Sequence, residues 1–116
     1  MTSELPFATL LDHGDAIIEV IVKPDFELEE AEAKLLIKQY DQLSLNPKVL
    51  VNRSNKYTSS ADFMDAMVHH EPFQAIAIYV PSYESALVAE SQKFLFSIPF
   101  ERFLDREEAL EWLRKQ

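Results

Sequence analysis

Residues 16–22, AIIEVIV, make a strongly β-branched run that reads as a strand. Upstream, Phe7 to Leu11 is a shorter strand, and the turn cluster Asp12-His13-Gly14-Asp15 between the two predicts a β-hairpin. Downstream, Pro24 closes the strand, and two more apolar runs follow, Lys48 to Asn52 (KVLVN) and Ala75 to Val80 (AIAIYV). Neither alternates in polarity, which predicts burial on both faces in the middle of a sheet. Amphipathic stretches separate the runs. This order, a hairpin and then helix and strand in turn, predicts an α/β domain on a single mixed central β-sheet with about four helices.

The helices can be placed from their periodicity and their ends. Residues 28–43 put Ala33, Leu36, Tyr40 and Leu43 on one face, widened by Leu35 and Ile37, so this helix should pack on the sheet. Glu27, Glu29, Glu30 and Glu32 crowd its start, where the positive end of the helix dipole favours carboxylates. A second helix, residues 60–70, opens after Thr58-Ser59-Ser60, with Ser59 and Asp62 at capping-box spacing and Phe63, Met64, Met67 and Val68 on its apolar side. Pro72 ends it. Ser82 caps a third helix over residues 83–96, whose apolar face carries Tyr83, Leu87, Phe94 and Leu95. Residues 99–104 (PFERFL) read as a last short strand, with Pro99 at its first position or on a sheet edge. Asp105-Arg106-Glu107-Glu108 then caps a closing helix that buries Ala109, Leu110, Trp112 and Leu113.

A length of 116 residues is near the commonest size of one domain, and no linker, repeat or low-complexity tract divides residues 1–116. The formal charge of −9 opposes contact with nucleic acid or anionic lipid, since each phosphate contact needs a cation. The chain has no cysteine, which removes disulfides, thiolate nucleophiles and cysteine-ligated metals and agrees with a reducing compartment. The start, Met1-Thr2-Ser3-Glu4-Leu5-Pro6, has no basic region followed by an apolar one, and no apolar run approaches the ~20 residues of a membrane helix. A cytoplasmic protein without integral membrane association is expected.

Missing residue types exclude several chemistries. A single glycine, Gly14, rules out the glycine-rich loops that cradle nucleotide phosphates. His69 and His70 are adjacent on a helix and diverge by about 100°, so with His13 they make a poor metal set and fit a solvated helix end better. Ser59 and Ser60 lack the Gly-x-Ser-x-Gly elbow of a serine nucleophile and are better read as capping residues. The acidic residues fall on helix starts and exposed faces, so no acid/base pair stands out. No catalytic residue, metal or cofactor is expected.

The hairpin opening, AIIEVIV, KVLVN, the helix after TSSADFMDAM, AIAIYV, PFERFL and the ending DREEALEWLRKQ together resemble the SpoIIAA-like branch of the STAS superfamily over nearly the whole chain. The resemblance implies a mixed sheet with helices mainly against one face. In the founding members, anti-sigma factor antagonists, a kinase phosphorylates a serine at the start of the second helix. That position maps to Ser59 or Ser60, beside Thr58, although Thr58-Ser59-Ser60-Ala61 lacks the Asp and Gly of the family's Asp-Ser-Ser-Gly motif. A phosphate at a helix N-terminus would add about −2 charge there and rebuild a partner surface.

Two non-catalytic functions follow. One is a regulatory domain acting through a protein partner, or a second copy of itself, at Thr58, Ser59 and Ser60. The other, suggested by the likeness of this branch to the Sec14 type, is a small-molecule or lipid carrier. Its apolar cleft would lie between the second and third helices, with Phe63, Met64, Met67, Leu87 and Phe94 on its walls.

Overall fold

A computed structural model describes residues 2–69, 73–81 and 95–116. The hairpin is present as β2 (Ala8–Asp12) and β3 (Ile17–Val22), paired antiparallel. Its turn is tighter than the sequence suggests, because Gly14, Asp15 and Ala16 all take positive φ, at 80°, 54° and 65°. Gly14 meets this demand freely, whereas Ala16 is strained there, so β3 begins at Ile17 and not at Ala16. An unforeseen strand, β1 (Thr2–Leu5), pairs antiparallel with β2 and forms the outer edge. Its short polar sequence carries no apolar run to announce it.

Beyond the hairpin, β4 (Glu27–Leu28) leads into α1 (Glu30–Leu43), followed by β5 (Lys48–Asn52), β6 (Thr58–Ser59) and α2 (Ala61–His69). The chain continues with β7 (Ala75–Tyr79), β8 (Phe100–Phe103) and α3 (Arg106–Arg114). The main sheet runs β1-β2-β3-β5-β7-β8, with β3, β5, β7 and β8 mutually parallel. It is mixed, as expected, and β5 and β7 are among its four inner strands, β2, β3, β5 and β7. A second, two-stranded sheet pairs β4 with β6 in parallel, so the sheet is not single. That pairing holds Glu27 and Leu28 in extended backbone, and α1 starts at Glu30 instead of residue 28.

Three helices lie among the described residues, against about four expected. Of the helix expected over residues 83–96, only Leu95 and Phe96 fall among the described residues, and Leu87 and Phe94 lie outside them, as does His70. The Glu29 N–H donates to Glu32 Oε1 at 2.8 Å to cap α1. For α2 the cap is Ser60, whose Oγ accepts from the Phe63 N–H at 3.0 Å; Ser59, assigned that task by spacing, is in β6. Asp105 caps α3 by accepting from the Glu107 and Glu108 N–H groups.

Alternation along the parallel strands makes two cores. Val20, Val22, Val49, Ile76, Ile78 and Phe100 face α1 and α2, where Ala33, Leu36, Tyr40, Phe63 and Met67 cover them. On the opposite face Ile17, Leu50, Ala75 and Ala77 pack beneath Ala109, Leu110 and Leu113 of α3. The small Ala75 and Ala77 let α3 approach the sheet closely. No helix among the described residues is long and apolar enough to cross a membrane.

Candidate functional site

Two places depart from an ordinary packed core. The first is a cavity of about 80 Å³ between the sheet and α1 and α2. Its floor is Val20, Val22, Val49, Val51, Ile76, Ile78 and Phe100, and its roof is Leu36, Tyr40, Phe63, Met64 and Met67. Phe63, Met64 and Met67 line this cavity, whose opposite wall is supplied by the sheet and by α1; the cleft expected between the second and third helices involves Leu87 and Phe94, which lie outside the described residues. Native interiors carry few voids larger than a water molecule. A void this size surrounded by apolar walls loses contacts that filling would restore.

The cavity has one polar side. Arg53, Tyr57 and Ser59, from the segment that follows the carboxyl end of β5, all line it. In open parallel sheets, ligands bind beyond the carboxyl ends of the strands. Arg53 Nε donates to the Tyr57 hydroxyl at 3.3 Å, and its guanidinium carbon sits 5.2 Å from the Tyr57 ring centroid. That stacking holds a half-buried cation against the Tyr57 ring on the cavity wall. Tyr40, on the roof, is 3% exposed, and its ring meets Phe73 edge-on at 5.7 Å. Its hydroxyl has no hydrogen-bond partner among the described residues, and burial pushes its phenol well above the ordinary tyrosine range, helped by Tyr57. A buried polar group without a partner is rare enough to require a reason.

Of Thr58, Ser59 and Ser60, only Ser59 lines this cavity, and the three take different roles. Thr58 is exposed, and its N–H donates to the Phe26 carbonyl at 3.0 Å. Ser59 is on the cavity wall. Ser60 donates its N–H to the Leu28 carbonyl at 2.8 Å and spends its hydroxyl oxygen on capping α2.

The second place is on the α3 face of the sheet and was not foreseen. Glu19, in the middle of β3, is fully buried, and four donors surround its carboxylate. Arg106 reaches both oxygens, with Nε 2.9 Å from Oε2 and Nη2 2.5 Å from Oε1. Asn52 Nδ2 is 2.7 Å from Oε2, and His13 Nε2 is 2.7 Å from Oε1. Burial raises the Glu19 pKa, but the bonds from Arg106, Asn52 and His13, with the charge of Arg106, outweigh it and hold the carboxyl below the ordinary value of 4.5. The same pairing raises Arg106. Every lone-pair direction of the carboxylate is filled, so the cluster is closed on itself and ties α3 to the hairpin and β5. Its signal in the sequence was a single charge inside a β-branched run, which needs a buried partner.

Among the described residues no group of three or more histidine, cysteine, aspartate or glutamate side chains gathers as a metal site. His13 binds Glu19, and His69 sits at the exposed end of α2 with Nδ1 2.8 Å from the Asp65 carbonyl, so the two are engaged separately.

No family model matches the sequence, and no curated protein matches it. Among solved structures it resembles an uncharacterised protein of the DUF3478 family with a SpoIIAA-like fold, from Shewanella loihica PV-4. The TM-score is 0.64 at 15% identity, and the match covers 97% of this chain and 98% of that one. The chain thus has a SpoIIAA-like fold.

Proposed function

We infer that this is a non-catalytic binding domain whose ligand is a small, largely apolar molecule held between the sheet and α1 and α2. The observation that supports this reading is the 80 Å³ apolar cavity at the carboxyl ends of β3 and β5. For scale, an engineered cavity of ~150 Å³ admits benzene. The cavity here fits a shorter aliphatic chain, and the flexible thioethers of Met64 and Met67 can adjust its walls. The buried ionic cluster among the described residues lies on the other face with the Glu19 carboxylate taken up by Arg106, Asn52 and His13, which favours a structural role for it. The acidic, cysteine-free composition favours a reducing, cytoplasmic setting.

The methionine methyl groups report on the cavity directly. In NMR titrations of the methyl-labelled protein with pentanol, the Met64 and Met67 methyl signals should shift saturably, and Met67→Trp should abolish the response by filling the space. If both signals stay in place up to the solubility limit of pentanol, the cavity takes no ligand and the reading fails.

A second reading, regulation through a protein partner or a second copy of the chain, draws on the adjacency of Thr58 and Ser59. The two-residue strand β6 has Ser59 on the cavity wall and Thr58 on the surface, so occupancy and partner surface share one backbone segment. Thr58→Glu should then alter partner capture or self-association while the melting curve is kept. Unaltered association in both assays would remove this reading.

A further inference from the structure

The polar groups of the cavity are all of one kind. Arg53, Tyr57, Ser59 and Tyr40 line it, and no carboxylate does so among the described residues, in a chain with 20 acidic residues. Arg53 has no acidic partner among the described residues; its Nε donates to the Tyr57 hydroxyl, and its terminal nitrogens have no partner among them. The Tyr57 hydroxyl accepts that bond and keeps its own proton to donate. The hydroxyls of Ser59 and Tyr40 have no partner among the described residues either, and the Tyr40 group is buried. A cation and three hydroxyls around an apolar void, with no anion beside them among the described residues, present donors that lack an acceptor there. An unsatisfied buried donor costs about 1–3 kcal/mol, which an acceptor on the ligand would remove.

Resting on the apolar-ligand reading, we propose that the ligand is a small monocarboxylic acid, its aliphatic or ring portion in the cavity and its carboxylate on Arg53 and the neighbouring hydroxyls. Arg53 presents the planar fork that matches a carboxylate. One guanidinium balances one negative charge. A dianionic phosphate would leave charge uncompensated in a protein whose net charge is −9, so a monoanion fits better. The volume limits the apolar part to a few carbons, since each methylene occupies a fair share of 80 Å³.

Matched ligands test this proposal. By isothermal calorimetry at neutral pH, pentanoate should bind at least tenfold more tightly than pentanol, and pentylamine should bind most weakly. Arg53→Gln should remove the preference for pentanoate over pentanol, and Arg53→Lys should restore part of it. Equal affinities of pentanol and pentanoate, or a preference that survives Arg53→Gln, would overturn the carboxylate assignment and leave the apolar cavity standing. Failure of all three compounds, together with still methionine methyl signals, would overturn the apolar-ligand reading and the carboxylate assignment with it.

Discussion

Glu19 shows how much one residue can organise. A carboxylate at 0% exposure is tolerated because Arg106, Asn52 and His13 replace its water, and removing one partner leaves a charge with nowhere to go. Arg106→Met should destabilise the fold by about 3 kcal/mol, the low end for a broken buried pair because Arg106 is partly exposed. Glu19→Gln should cost less, since its carbonyl still accepts from Arg106 or Asn52 and Arg106 can turn to solvent. The pH dependence separates the two. With Glu19 depressed in the fold, its contribution is present above 4.5 and is lost as pH falls through the lowered folded value. In Arg106→Met the buried carboxyl is raised instead, so stability should fall as pH rises above 4.5. Urea titrations across pH would show opposite slopes; parallel slopes would mean that Arg106 does not set the ionisation of Glu19. The turn offers a second residue-scale test. Ala16 has φ 65°, so Ala16→Gly should stabilise by about 1 kcal/mol in the same titrations, and a loss would place the strain elsewhere.

At the scale of elements, the caps decide where helices begin. Ser60→Ala should cost about 1 kcal/mol, and Ser59→Ala close to nothing in stability, because only Ser60 accepts from the start of α2. Chemical denaturation of the two variants checks this, and equal losses would return the cap to Ser59. Strand runs such as KVLVN and AIAIYV were legible because burial on both faces leaves an uninterrupted apolar string. The closing helix was legible because Asp105 and the stripe Ala109, Leu110 and Leu113 agree. What escaped reading lacked a local signature. β1 is polar, and β4 and β6 are two residues each, held by pairing between positions about 30 apart in the chain, a contact no window of sequence contains. The same holds for the candidate site. Phe63, Met64 and Met67 were visible from helical periodicity, whereas Arg53, Tyr57 and Tyr40 come from separate elements and converge only once the sheet is formed.

For the whole molecule, the sheet divides one tightly packed core from one with a void. Leu113, fully buried on the sheet-facing side of α3, should cost about 3 kcal/mol when changed to Ala, because the lost side chain leaves a cavity in the core. On the other face, ligand binding to the native state alone should raise the melting temperature with concentration, equivalent to about 2.7 kcal/mol at a hundredfold excess over Kd. Pentanoate should produce that rise in the unmodified protein and none in Met67→Trp; a rise in both would place the binding outside the cavity. On the proposed reading the two faces have separable tasks, α3 and the Glu19 cluster holding the fold, and α1, α2 and the segment after β5 enclosing the ligand. The most direct measurement is a crystal structure of the protein with pentanoate. The account predicts the alkyl chain against Met64, Met67 and Ile76, with the carboxylate within hydrogen-bond distance of Arg53 and Tyr57. An empty cavity beside a saturating ligand, or pentanoate seated away from Arg53, would contradict it.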